Sequence, residues 1–110
     1  MFERLKLVIQ NFSIMANSYM YILLCSDDSY YVGSTKYLRT RFRKHSKGEG
    51  AEYTKERLPV TLVYVEVFTR IDFAFNREHQ IKKWSRKKKQ ALINGNIQDL
   101  KTYSKKKFEK

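Results

Sequence analysis

A single cysteine, Cys25, leaves the chain no partner for an internal disulfide and too few thiols for a cysteine-built zinc site, and it fits a reducing compartment. No apolar run approaches the length that spans a bilayer. The N-terminal stretch Leu7-Val8-Ile9 is too short for the core of a secretion signal. A cytoplasmic protein with no membrane partner is expected. Acidic residues are also scarce: 11 Asp and Glu stand against 23 Lys and Arg, a formal net charge of +12. Such a balance favours polyanionic partners, nucleic acid before anionic lipid. What remains is 42% hydrophobic and 15% aromatic, which supports a real core and excludes wholesale disorder. The length of 110 residues suits one compact domain.

Along the chain, residues 1–17 read as an N-terminal extension, with Leu5, Leu7, Val8, Ile9 and Phe12 enough for a short amphipathic helix. Residues 18–95 carry the domain. Tyr19 to Cys25 is aromatic and apolar throughout, as a buried strand is. Ser26-Asp27-Asp28-Ser29 has turn chemistry, and Tyr30-Tyr31-Val32-Gly33 is the return strand of a hairpin. Leu38 to Ser46 shows helical spacing, with Thr35 as the candidate N-cap. Gly48 and Gly50 open a loop that runs through Pro59, and Val60 to Phe68 is a third, β-branched strand. Thr69-Arg70-Ile71-Asp72 resembles a capping box that starts a longer helix, with Ile71, Ala74, Ile81 and Trp84 near one face and a stop at Asn94-Gly95-Asn96. Residues 96–110 are expected to hold a short C-terminal helix over Ile97 to Tyr103 and a lysine-rich tail. The order is β-β-α-β-α-α, an α+β arrangement with a small sheet.

Four groups of residues can carry chemistry. Tyr21 and Tyr31 lie on the two hairpin strands. They share a face only with a three- or five-residue loop or a bulge, and a plain four-residue loop separates them. Gly33 permits close approach by a backbone or a ligand. Arg41 and His45, four apart, border the core-facing side of the first helix, where a guanidinium needs either a carboxylate or a phosphate. Glu78 sits inside an apolar stripe, so its charge requires a salt bridge or a hard divalent cation. With only two histidines in the chain, and His79 on another face, an all-protein metal cage is not expected. Finally, Lys82, Lys83, Arg86, Lys87, Lys88 and Lys89 surround Trp84 and Ser85 in one run. Residues 79–110 hold eleven Lys and Arg against two acids, a density that favours a phosphate-tracking surface without sequence preference.

Tyr19-Met20-Tyr21 followed by Tyr31-Val32-Gly33 resembles the GIY-YIG signature, with Tyr19 and Met20 standing where Gly and Ile are usual. Arg41 ten residues after Tyr31, His45 four later, the segment Gly48 to Thr54, Leu62-Val63-Tyr64, Arg77-Glu78 and Ile81 to Lys88 extend the likeness to small single-domain bacterial members. It covers about Ser18 to Gly95. Glu49 and Glu52 stand where relatives often carry lysine. The resemblance implies a three-stranded antiparallel sheet flanked by helices, and phosphodiester hydrolysis with one Mg²⁺ or Mn²⁺. It implies Glu78 as metal ligand, Arg41 as phosphate clamp, Tyr21 and Tyr31 positioning or deprotonating the attacking water, and His45 in proton transfer or phosphate contact. The expected function is a metal-dependent endonuclease acting on DNA, with branched or damaged DNA as candidate substrates and no small-molecule cofactor. The alternative is a nucleic-acid-binding module, for DNA or RNA, that retains the fold without cutting.

Overall fold

The computed structural model describes residues 17–95, so the extension expected over residues 1–17, but for Asn17, and the segment after Gly95, including the helix expected over Ile97 to Tyr103, lie outside the described residues. Within them, strands β1 (Ser18–Leu24), β2 (Tyr30–Thr35) and β3 (Thr61–Phe68) form an antiparallel sheet in the order β2-β1-β3. Helices α1 (Leu38–Ser46), α2 (Glu52–Lys55), α3 (Ile71–Lys82) and α4 (Arg86–Ile93) complete the fold. The order β-β-α-β-α-α is present, with the one-turn α2 added inside the segment expected to be loop, but its last two helices, α3 and α4, divide the stretch expected as one long helix.

The sheet is covered on both faces, which is why β1 is apolar at nearly every position. Tyr21, Leu23, Cys25, Leu62 and Val65 pack on one face with Leu38 and Phe42 of α1. Met20, Ile22, Val32 and Val63 pack on the other with Ile81 of α3 and Leu92 of α4. A bulge in β3, where Ile22 faces Tyr64 but Leu23 faces Leu62, sends both Val63 and Tyr64 to the second face.

Three local expectations differ from the structure. Thr35 does not cap α1: its hydroxyl accepts the Tyr37 N–H at 3.0 Å and shapes the turn before the helix, while Tyr37 occupies the N-cap position. No capping box forms at Thr69. Arg70 is the N-cap of α3 without a side-chain bond, and Ile71 is exposed. The long helix is two helices. Ser85 takes an extended backbone and its hydroxyl accepts the Lys88 N–H at 3.2 Å, an N-cap that starts α4 afresh after α3 has ended.

Candidate active site

The β1–β2 register pairs Leu24 with Tyr30, Leu23 with Tyr31 and Tyr21 with Gly33, leaving a five-residue turn over 25–29. That odd count puts Tyr21 and Tyr31 on the same face, diagonal to each other, with ring centroids 6.4 Å apart. The Tyr21 ring lies over Gly33 so closely that a Cβ there would collide with its hydroxyl end. Tyr21 is buried, whereas Tyr31 keeps partial exposure.

Helix α1 delivers Arg41 and His45 to the same face. The Tyr21 hydroxyl and His45 Nε2 are 2.8 Å apart, and His45 Nδ1 is 2.8 Å from Thr54 Oγ1 of α2. The imidazole is fully buried and also packs 5.1 Å from the Tyr31 ring. Both nitrogens are engaged, so none is free for a phosphate. The half-buried Arg41 guanidinium stands beside both phenols. Burial alone would lower its pKa, but the neighbouring Tyr21 and Tyr31 oxygens outweigh that and raise it. Burial pushes the Tyr21 phenol up to about 12, against the relief that Arg41 provides. Burial, with Arg41 adding to it, pushes His45 down to about 4. At neutral pH the site thus holds a neutral Tyr21, a neutral His45 and a cationic Arg41.

The His45 shift has a measurable consequence. Between the free-histidine value of about 6.5 and the buried value of about 4, the unfolded chain takes up a proton that the folded chain refuses. The stability this contributes is complete above pH 6.5 and is lost as pH falls towards 4, on the order of 3 kcal/mol in all. Urea midpoints of wild type and His45→Gln across that window should show a steeper acid loss in wild type. Parallel curves would refute the burial account.

Glu78 reaches the site from the other side of edge strand β2. Its Oε1 accepts the Ser34 hydroxyl at 2.6 Å and its Oε2 pairs with Lys82 Nζ at 2.6 Å. Gly33 thus carries the Tyr21 ring on one face while its neighbour Ser34 holds the carboxylate on the other. The two groups still sense each other, since the Glu78 charge helps raise the Tyr21 pKa. No group of three or more His, Cys, Asp or Glu side chains gathers into a metal cage among the described residues. The donors present are one carboxylate and one hydroxyl, hard oxygens. They fit a Mg²⁺ or Mn²⁺ that takes its remaining ligands from water and phosphate.

The basic run after Ile81 is dispersed over several tasks. Lys82 pairs with Glu78, Arg86 donates to the Asp28 carbonyl and lies over the Tyr30 ring, and Lys88 lies 4.0 Å from the Trp84 ring centroid. Lys89 is partly buried, and Lys83 and Lys87 are exposed. These residues flank the second face of the sheet, away from the Tyr21–Arg41 cluster.

Four contributors escaped the sequence reading: Ser34, Gly50, Tyr53 and Thr54. Gly50 lies against the His45 ring, where a Cβ would collide with Nδ1. Tyr53 stacks on Tyr31 at 6.2 Å between centroids, with the Arg57 guanidinium 3.8 Å over its own ring. Arg57 is in turn held by Asp27 of the hairpin turn at 3.0 Å. The available signal was the Gly48 to Thr54 segment, which resembled the family without any chemistry attached to it.

Comparison with known proteins identifies the family. The GIY-YIG catalytic domain family matches residues 17–91. The chain belongs to the GIY-YIG family. A UPF0213 protein of Haloquadratum walsbyi (strain DSM 16790 / HBSQ001) is 50% identical over 74 residues, covering 67% of this chain and 83% of that protein. A UPF0213 protein of Staphylococcus haemolyticus (strain JCSC1435) is 46% identical over 79 residues, covering 72% of this chain and 96% of that protein. A protein of E. faecalis solved by NMR in solution superposes with a TM-score of 0.50 at 36% identity, over 74% of this chain and 90% of that one. GIY-YIG domains are generally nucleases, so a nucleic-acid substrate and a divalent metal are the family's usual requirements. Among the described residues no helix is long and apolar enough to cross a membrane.

Proposed function

We propose that this protein is an endonuclease that hydrolyses phosphodiester bonds of DNA, branched or damaged DNA included, with one Mg²⁺ or Mn²⁺ held at Glu78. The observation that carries the reading is the gathering of Tyr21, Tyr31 and Arg41 on one face of the sheet, with Glu78 one strand's thickness away. A partly exposed guanidinium between two phenols, with no carboxylate among the hydrogen-bonding partners that shift it, suits a phosphate. Arg41 clamps the scissile phosphate and meets the charge that develops on its oxygens. Tyr21 is sealed by packing and holds its proton against His45, which suits positioning. Tyr31 keeps partial exposure and is the phenol that can meet a water, so the role of orienting it, and of accepting its proton as the phenolate, falls to Tyr31. At Glu78 a divalent ion would supply Lewis acidity towards a phosphate oxygen. The exposed Lys83 and Lys87, with Lys82 when it leaves Glu78, give sequence-tolerant attraction to the backbone of a long substrate.

The test is nicking of supercoiled plasmid and cleavage of branched DNA and structured RNA, with and without Mg²⁺ or Mn²⁺. Metal-dependent nicking that falls about 10²-fold or more in Arg41→Ala is expected. Binding of all these substrates with no cleavage of any would replace this reading with that of a binding module.

A further inference from the structure

The short helix α2 places a second buried polar group against the site. Thr54 is fully buried, and its Oγ1 lies 2.8 Å from His45 Nδ1 and 3.0 Å from the Ala51 carbonyl oxygen. Counting protons resolves which way this chain of bonds runs. A threonine hydroxyl has one proton to give. If it goes to the Ala51 carbonyl, Thr54 Oγ1 accepts from Nδ1–H. Nε2 is then bare and accepts the Tyr21 O–H at 2.8 Å. Every buried donor meets an acceptor. If Thr54 instead gives its proton to Nδ1, the Ala51 carbonyl loses that donor and Nε2–H points at the Tyr21 oxygen. The Tyr21 proton must then turn towards Arg41, which has donors only. The first arrangement wins because an unmatched buried donor costs about 1–3 kcal/mol.

We infer that Thr54 is a positioning residue that locks His45 in the Nδ1–H form, so that Nε2 takes the Tyr21 hydrogen bond and the phenol oxygen turns its lone pairs towards Arg41. A free histidine side chain prefers its proton on Nε2, so the lock works against the intrinsic preference. Its catalytic consequence rests on the nuclease reading above; the protonation pattern itself does not. Thr54 touches no substrate. It acts through His45 on the orientation of the Tyr21 hydroxyl, one partner of the guanidinium that clamps the phosphate.

The lock is tested by long-range ¹H–¹⁵N correlation spectra of the imidazoles at pH 7, with His79→Gln used to assign the two histidines. Wild type and Thr54→Ser should show a protonated Nδ1 and a bare Nε2 for His45. Thr54→Val, which keeps the shape and removes the hydroxyl, should move the proton to Nε2. In the nicking assay Thr54→Val should lose about 10- to 100-fold in kcat with little change in KM, and Thr54→Ser should regain most of it. A wild-type His45 with its proton on Nε2 overturns the inference, as does a folded Thr54→Val whose spectrum matches wild type. If Thr54→Val does not fold, the wild-type and Thr54→Ser spectra decide alone. A wild type that nicks nothing removes the nuclease reading and leaves the tautomer result standing.

Discussion

Glu78→Ala is expected to abolish metal-dependent cleavage in a protein that still folds and still binds nucleic acid. A metal contributes several kcal/mol of charge stabilisation to a phosphoryl transition state, and each 1.4 kcal/mol is tenfold, so the rate should fall by about 10³-fold. The folding cost is small for a nearly buried carboxylate because of what its partners do afterwards. The Lys82 side chain is 45% exposed, so its ammonium returns to water and no buried cation is stranded. The Ser34 hydroxyl loses its acceptor but lies at the edge strand, where water can replace it. A net loss of about 1–2 kcal/mol follows, partly offset by alanine's helix preference. Glu78→Gln, which retains an acceptor for Ser34, should be equally inactive and closer to wild type in melting temperature. Melting, binding and nicking measured on one preparation separate the alternatives. A large drop in melting temperature with parallel loss of binding would make Glu78 a structural ion-pair partner. Undiminished nicking would remove it from the site.

Gly33→Ala and Gly50→Ala should each cost both stability and activity, through the same hydrogen bond approached from its two ends. A Cβ at Gly33 would meet the Tyr21 hydroxyl end, and one at Gly50 would meet His45 Nδ1 while lying 2.9 Å from ring atoms Cε1 and Cγ. Neither ring can swing aside. Both are buried and bonded to each other, and His45 is bonded to Thr54 as well. Overpacking of this kind costs about 1–3 kcal/mol. Displacing the phenol by about 1 Å relative to Arg41 is worth about 10²-fold in rate. If the collision with the imidazole is the cause, Gly50→Ala should add little further destabilisation in a His45→Ala background. That coupling is read from urea midpoints of the double-mutant cycle. Additive costs would place the effect of Gly50→Ala in the backbone instead.

The sequence by itself determined the general β-β-α-β-α-α order and the buried character of β1, and it put forward five candidate site residues. These are local or compositional matters: an apolar run, a helical spacing, a charge inside an apolar stripe. It also narrowed the hairpin to two outcomes, since side chains alternate along a strand. Only the tertiary structure chose between them, because the register of Leu24 against Tyr30 is set by pairing and packing over the whole sheet. The break at Ser85 is not legible in the sequence because a run of lysines continues a helix pattern, while one hydroxyl in the N-cap position is enough to restart it. The partition of the basic run was hidden for a different reason. Whether Lys82 meets Glu78, or Arg86 the hairpin turn, depends on which surfaces come together in the folded chain. Helix α2 was decided most completely by the fold. Four residues are too few to announce a helix through periodicity, and Thr54 reads as an ordinary polar residue in a loop. Its part in the site arises because folding buries it against His45, where one proton fixes the direction of three hydrogen bonds.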